Sequence, residues 1–235
     1  VADPRSLTSV VLVTGTGTGV GKTVVTAALA AVVRDRGSSV AVVKPAQTGV
    51  GPEDPGDMGE VRRLVGDDLP THELARLRDP LAPEAAARSE GVTLPPMAAH
   101  ARRIGEIAAS SEVVLVEGSG GLLVRLDQRG GTLADLGAGL RYKGIGCGVV
   151  LVAGAGLGTL NVAALTAEAL TARSLPLLGV VVGSWPSEPG LAEENNLIDL
   201  PRVTGAPLWG RIPEGAGGMP RADFLAAVPG WFALG

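Results

Sequence analysis

Leu12 to Thr23 reads LVTGTGTGVGKT. The stretch closes on the Gly-Lys-Thr of a phosphate-binding loop, in which a first glycine ordinarily stands five positions before the second. Five positions before Gly21 is Thr16, and the glycine that closes the preceding apolar run is Gly15. The loop is therefore longer by one residue. Before it, SVVLVTG is an apolar run of strand length; after it, Lys22 to Arg36 is alanine-rich and stops at Gly37. That order is strand, loop, helix. Loop N–H groups and the positive end of the helix then face an anion. Lys22 is placed to reach the β- and γ-phosphates of a nucleotide, and the Thr23 hydroxyl to hold Mg²⁺.

Working outward, SVAVVKP, EVVLVEG, GVVLVAG and PLLGVVVGS read as further strands, while DMGEVRRLV, PMAAHARRIGEIAAS and LGTLNVAALTAEALTARS read as helices. Strands apolar along their whole length, alternating with helices, predict an α/β fold with a mostly parallel sheet covered on both faces. Ligands then gather at the carboxyl ends of the strands. Gly49 to Gly59, rich in glycine, proline and acid, reads as a loop within one domain spanning residues 1–235.

Composition narrows the class. The 235 residues are 46% apolar, enough for a full core, and a net charge of −4 leaves no basic footprint for nucleic acid or an anionic membrane. Apolar runs fall short of the roughly 18 residues of a membrane helix, so a soluble protein is expected. The lone Cys147 permits no internal disulfide and fits a reducing cytosol. Val1 to Ser9 is polar and lacks the apolar segment of a leader, so a cytoplasmic location is expected.

Three more segments follow strands and should share the loop's rim. VVKPAQTG places Lys44 directly after a strand, followed by Pro45, Gln47 and Thr48; Lys44 is either a surface charge or part of the site. VLVEGSGG ends a strand on Glu117 and then supplies Gly118, Ser119 and Gly120, whose N–H groups allow close approach to a ligand. A carboxylate ending an apolar strand needs a cation or donors, and Mg²⁺ is the obvious partner. Asp57 opens a helix with Glu60 three positions on, which reads either as a capping box or as a second carboxylate near Mg²⁺.

Together GTGTGVGKT, KPAQTG, VEGSGGLLV and LGTLN, in this order over nearly the whole chain, resemble the dethiobiotin synthetase family. The resemblance implies a P-loop NTPase-like, Rossmann-like three-layer fold whose phosphate loop is longer by one residue. It implies ATP- and Mg²⁺-dependent ring closure of 7,8-diaminopelargonate with CO2. One amine forms a carbamate, the carbamate attacks the γ-phosphate, and the other amine displaces phosphate to close the cyclic urea. On this pattern Lys44 matches the catalytic lysine, Thr48 a substrate-contacting hydroxyl, and Thr18 the loop contact to the diamine. Thr23, Asp57 and Glu117 match the Mg²⁺ positions, with Asp54 an alternative to Asp57. Gly19, Val20, Gly21, Lys22, Thr23 and Val24, with Gly118, Ser119 and Gly120, match nucleotide contacts. Gly158, Thr159 and Asn161 of LGTLN match a helix start that receives the substrate's carboxylate from the neighbouring subunit, which implies a homodimer.

Adenine-selective members carry an asparagine where this chain has Gly183 and Ser184. Base discrimination then falls to backbone groups, to Pro213, Glu214 and Gly215 of IPEGAG, and to Trp185, which stacks on a base or packs the core. Turnover with a nucleotide other than ATP is expected on that ground. His72 and His100 read as solvated side chains in a loop and on a polar helix face, and Cys147 as a small buried residue. Amidating synthetases of cobalamin synthesis share a similar long loop but need a glutaminase cysteine and histidine; after Cys147 the sequence has neither. A nucleotide-switched ATPase of the same fold group would carry a second lysine early in the loop or a membrane-targeting tail, and neither stands in this sequence.

Overall fold

The computed structural model of the chain describes residues 7–232, so most of Val1–Ser9, read above as lacking a leader, lies outside the described residues. One sheet holds seven strands: β1 (Val10–Gly15), β2 (Val40–Lys44), β3 (Thr71–Glu73), β4 (Val113–Glu117), β5 (Cys147–Ala153), β6 (Leu177–Trp185) and β7 (Leu208–Pro213). Their order is β3-β2-β4-β1-β5-β6-β7, and every neighbouring pair is parallel. Among the described residues eight α-helices connect and cover them: α1 (Lys22–Asp35), α2 (Gly56–Val65), α3 (Pro83–Glu90), α4 (Met97–Ala108), α5 (Leu133–Tyr142), α6 (Thr159–Thr171), α7 (Leu191–Thr204) and α8 (Arg221–Trp231).

Alternation along β1 explains why Val10 to Val13 are all apolar. Val11 and Val13 join Val25, Leu29 and Phe224 in the core under α1, α2 and α8, whereas Val10 and Leu12 join Ile104 and Leu136 under α4 and α5. Both faces are covered, so these four positions are apolar on either side, and the polar Thr14 comes only near the strand's carboxyl end. Farther along the sheet, Leu151, Val180 and Val182 meet Ala163 and Leu200 under α6 and α7. With β1 between β4 and β5, Val13 lies opposite Glu117 and Gly15 opposite Val152. The carboxyl ends of β1, β2 and β4 thus share one rim, where α/β sheets bind ligands.

Two histidine expectations are overturned. His72 belongs to the short edge strand β3, paired with Val43, and is half-buried. His100 is 1% exposed. Helix α4 buries a stripe of His100, Ala101, Ile104 and Ile107, and this helical spacing puts the imidazole on the apolar side. Cys147 opens β5, fully buried, and burial pushes its thiol up to about 12.

Burial lowers the His100 pKa below its ordinary 6.5, against the raising influence of the Asp127 carboxylate and the Pro95 carbonyl. Below that value the unfolded chain takes up the proton before the folded one, so this histidine's contribution to stability is present above pH 6.5 and lost as pH falls. Denaturant unfolding at about pH 7.5 and about pH 5.5 should show a smaller acid loss in His100→Leu than in the parent protein. Equal losses would mean that His100 does not titrate in this way.

Candidate active site

The phosphate loop is hydrogen-bonded to β5 and approaches β6 and the glycines after β4 closely. Thr16 N–H donates to the Val152 carbonyl of β5 at 2.9 Å, and Gly154 N–H donates to Thr16 Oγ1 at 3.1 Å. On the β6 side, Gly21 and Gly183 meet backbone to backbone: a Cβ at Gly21 would overlap the Gly183 carbonyl, and a Cβ at Gly183 would overlap the Val20 carbonyl. Gly21 also holds φ +92°, a left-handed conformation suited to glycine. Toward β4, a Cβ at Gly120 would lie 3.6 Å from Thr18 Oγ1. Thr16 thus meets β5, while the exposed tip at Thr18 and Gly19 lies near Gly120 after β4. Lys22 Nζ folds back over the loop and donates to the Gly17 carbonyl at 2.8 Å.

Below the loop lies a buried charge cluster. Lys44, 4% exposed at the end of β2, donates to Glu117 Oε1 at 2.8 Å and pairs with Asp57 Oδ2 at 2.5 Å. Glu117 Oε1 also accepts from Thr23 Oγ1 at 3.0 Å, while its Oε2 is buried without a hydrogen-bond partner among the described residues. Burial opposes the Lys44 charge most strongly, but Glu117 and Asp57 outweigh it and raise the pKa. Lys44 therefore stays an ammonium. Burial lowers the Lys22 pKa, and repulsion from Lys44 lowers it further.

Asp57 lies in the first turn of α2, where Pro55 is the cap, and no capping box with Glu60 forms: Glu60 pairs instead with Arg63. Asp54 is exposed and accepts from Gly51 N–H at 2.6 Å, so Asp57 is the carboxylate that meets Lys44. Ser119 Oγ donates to the Ala46 carbonyl at 2.8 Å and ties the β4 glycines to the segment after β2.

A cleft of about 840 Å³ opens over these groups, lined on one side by Thr18, Gly19, Val24 and Thr48. Its far wall is Pro80, Leu81, Ala82, Pro83 and Val124, which sequence reasoning missed. The segment RDPLAPE carries no motif, and only folding sets it opposite the loop.

The remaining candidates stand apart from this cleft. Gly158, Thr159 and Asn161 occupy the uncapped start of α6. Pro213 closes β7 and Glu214 and Gly215 form the turn after it, all three exposed, with Glu214 N–H donating to the Trp185 carbonyl at 2.7 Å. Arg63 of α2 holds this turn's far side through the Gly217 and Met219 carbonyls. Trp185 is partly buried and packs with Leu160 and Leu197 against the core beneath α6 and α7, with the Arg211 guanidinium 4.9 Å from its ring centre. Ser184 is half-buried at the end of β6.

Gly183 needs a different explanation from the one its sequence context offered. Its missing side chain does not leave a base-reading position empty, because the Val20 carbonyl and Val152 Cγ1 fill that space. Gly183→Ala should push the phosphate loop away from β6. At about 1–3 kcal/mol for such overpacking, nucleotide affinity should fall by about tenfold or more. Equilibrium binding of ATP checks this, and unchanged affinity would show that the loop gives way freely.

A protein-family model described as an AAA domain matches residues 9–219. Among solved structures, the signal recognition particle 54 kDa protein of Aeropyrum pernix in complex with GDP superposes with a TM-score of 0.58 at 22% identity, over 97% of this chain and 48% of that one. The MinC:MinD complex of Aquifex aeolicus gives 0.54 at 15% identity, over 93% of this chain and 86% of that one. At these identities the likeness concerns the fold. Sequence relatives reach further. The ATP-dependent dethiobiotin synthetase BioD of Frankia casuarinae is 57% identical over 92% of this chain and 89% of its own length. That of Streptomyces avermitilis is 53% identical over 96% and 92%. Identity at this level across almost the full length of both chains places the protein in one family: it belongs to the dethiobiotin synthetases.

Proposed function

We propose that this chain catalyses the ATP-dependent closure of 7,8-diaminopelargonate and CO2 to dethiobiotin, in the cleft beneath the phosphate loop. The observation that carries the reading is Lys44, an ammonium buried between Glu117 and Asp57 directly below the loop. A carbamate and a triphosphate repel each other, and bringing them together requires fixed positive charge between them. Lys22 and Lys44, both buried at the cleft, supply it as preorganised charge. Gly19, Val20, Gly21, Thr23 and Val24 hold the phosphates, and the Thr18 and Thr48 hydroxyls orient the diamine. Pro80, Leu81 and Val124 cover its methylenes.

The residues present fit Mg²⁺. Glu117 Oε2 is a buried oxygen without a partner, and Asp57 and Thr23 add the hard oxygen ligands that this ion takes beside phosphate and water. Bound by Thr23, Asp57 and Glu117, the ion would neutralise charge developing on the transferred phosphoryl group.

Phosphate release that requires both diaminopelargonate and CO2 tests the reaction. Release without them would point to a nucleotide switch. Lys44→Ala should lower turnover by about 10²-fold or more with the fold intact, since it removes an interaction concentrated in the transition state. Glu117→Gln should shift the Mg²⁺ dependence more than metal-free nucleotide binding. Near-normal turnover in Lys44→Ala, or an unshifted Mg²⁺ curve in Glu117→Gln, overturns the respective role. With most binding placed on the triphosphate, the same assay should also register a nucleotide besides ATP.

The working form on this reading is a cytoplasmic homodimer. Leu157 is 92% exposed, Leu191 79% and Ile198 63%, an apolar surface across α7 and the loop leading into α6. The start of α6 lies within it, with Gly158 at φ +89° and no side-chain cap, so its N–H groups and positive end offer a carboxylate site to a partner's cleft. Lys44→Ala and Asn161→Ala subunits, mixed and allowed to exchange, should regain part of the activity, because one composite site in each hybrid is intact. Mixtures that stay inactive would mean that each chain completes its own site.

A further inference from the structure

We infer that Gln47 is a positioning residue for this site: its side-chain amide sets the first turn of α2 so that Asp57 meets Lys44. The inference rests on the reading of Asp57 proposed above. Helix α2 starts at Pro55 with no side chain of its own capping it. First-turn N–H groups have no partner within a helix and need one from elsewhere. Gln47 provides it from another segment, its Oε1 accepting from Asp57 N–H at 2.9 Å. The other end of the amide donates to the Thr48 carbonyl at 3.1 Å, and the side chain is buried.

The supports of this amide are themselves fixed. Gln47 N–H donates to the Ala75 carbonyl and Leu77 N–H to the Gln47 carbonyl, each at 2.9 Å, which extends the β2–β3 pairing past the strand ends. Gly56 holds φ +58°, and a Cβ there would lie 3.1 Å from Gln47 Oε1 and 3.3 Å from Arg76 Nη2. The glycine leaves room for the amide to reach the backbone. Arg76, held by Glu73 at 2.5 and 2.9 Å, donates to the Gly51 and Asp54 carbonyls and fixes the loop ahead of α2. Lys44 and Gln47 stand three residues apart on one segment. A single stretch therefore carries the cation and the acceptor that aims its partner carboxylate. Because the bonded N–H belongs to Asp57 itself, losing that bond turns the carboxylate directly.

Gln47→Met keeps the length of the side chain and removes the amide; Gln47→Glu keeps an acceptor. The Mg²⁺ concentration for half-maximal phosphate release, and the affinity of the ATP complex for Mn²⁺ read by electron paramagnetic resonance, should both worsen in Gln47→Met by about tenfold or more, as for other groups that orient metal ligands. Turnover at saturating metal should stay within about threefold. Gln47→Glu should restore both metal readouts. A folded Gln47→Met with unchanged metal curves overturns the inference, as does a loss of turnover that neither saturating metal nor Gln47→Glu repairs. Should Gln47→Met fail to fold, Gln47→Asn, too short to reach Asp57 N–H, carries the same expectation. Asp57→Asn separates the two readings: if it leaves the Mg²⁺ curve unchanged, the role of Asp57 falls and this inference with it. A shift in Asp57→Asn without one in Gln47→Met overturns the inference alone.

Discussion

The Lys44 ammonium, buried between Glu117 and Asp57, is the contact from which the rest of the site takes its geometry. Its three members come from β2, β4 and α2, so the pairing joins two strand ends to a helix start across the rim of the sheet. Removing one member of such a pair leaves a buried charge uncompensated, typically at about 3–5 kcal/mol. Buried ion pairs are weak evidence for stability. Here the arrangement instead holds a permanent cation beneath an anion-binding loop, where bulk water would otherwise screen it.

Glycine does a second job in the same place. Close backbone contact between Gly21 and Gly183 lets the phosphate loop rest on β6, while Thr16 ties it to β5 and the glycines after Glu117 let it approach β4. A loop held by hydrogen bonds on one side and close packing on another has its N–H groups arranged in advance, which is the condition for strong electrostatic stabilisation. The one-residue lengthening fits this architecture: it gives both an anchor and an overhanging tip.

Much of the fold was legible because its signals are local. An apolar run followed by glycines and an alanine-rich stretch describes strand, loop and helix within about thirty residues, and no distant contact is needed to read it. β3 was missed because it is three residues of an edge strand, half-buried and polar. α7 was missed because it is largely polar and carries Pro201 in its interior. His100 could have been read as buried from its spacing with Ile104 and Ile107, a helical stripe visible in the sequence; the polar character of histidine obscured it.

The sequence by itself determined which groups carry charge and at which strand ends they stand: Lys22 and Thr23 after β1, Lys44 closing β2, Glu117 closing β4. It left Asp57 balanced between helix cap and site carboxylate, Asp54 as its rival, and Trp185 between base and core. Tertiary structure brings Asp57 rather than Asp54 to Lys44, packs a partly buried Trp185 against the core, sets Pro80–Pro83 along the cleft and gives the reason for Gly183. The division has a physical cause. A residue's position along a strand or helix depends on its near neighbours in the chain. Which carboxylate meets Lys44, and which carbonyl fills the space beside Gly183, depend on how segments tens of residues apart pack against one sheet.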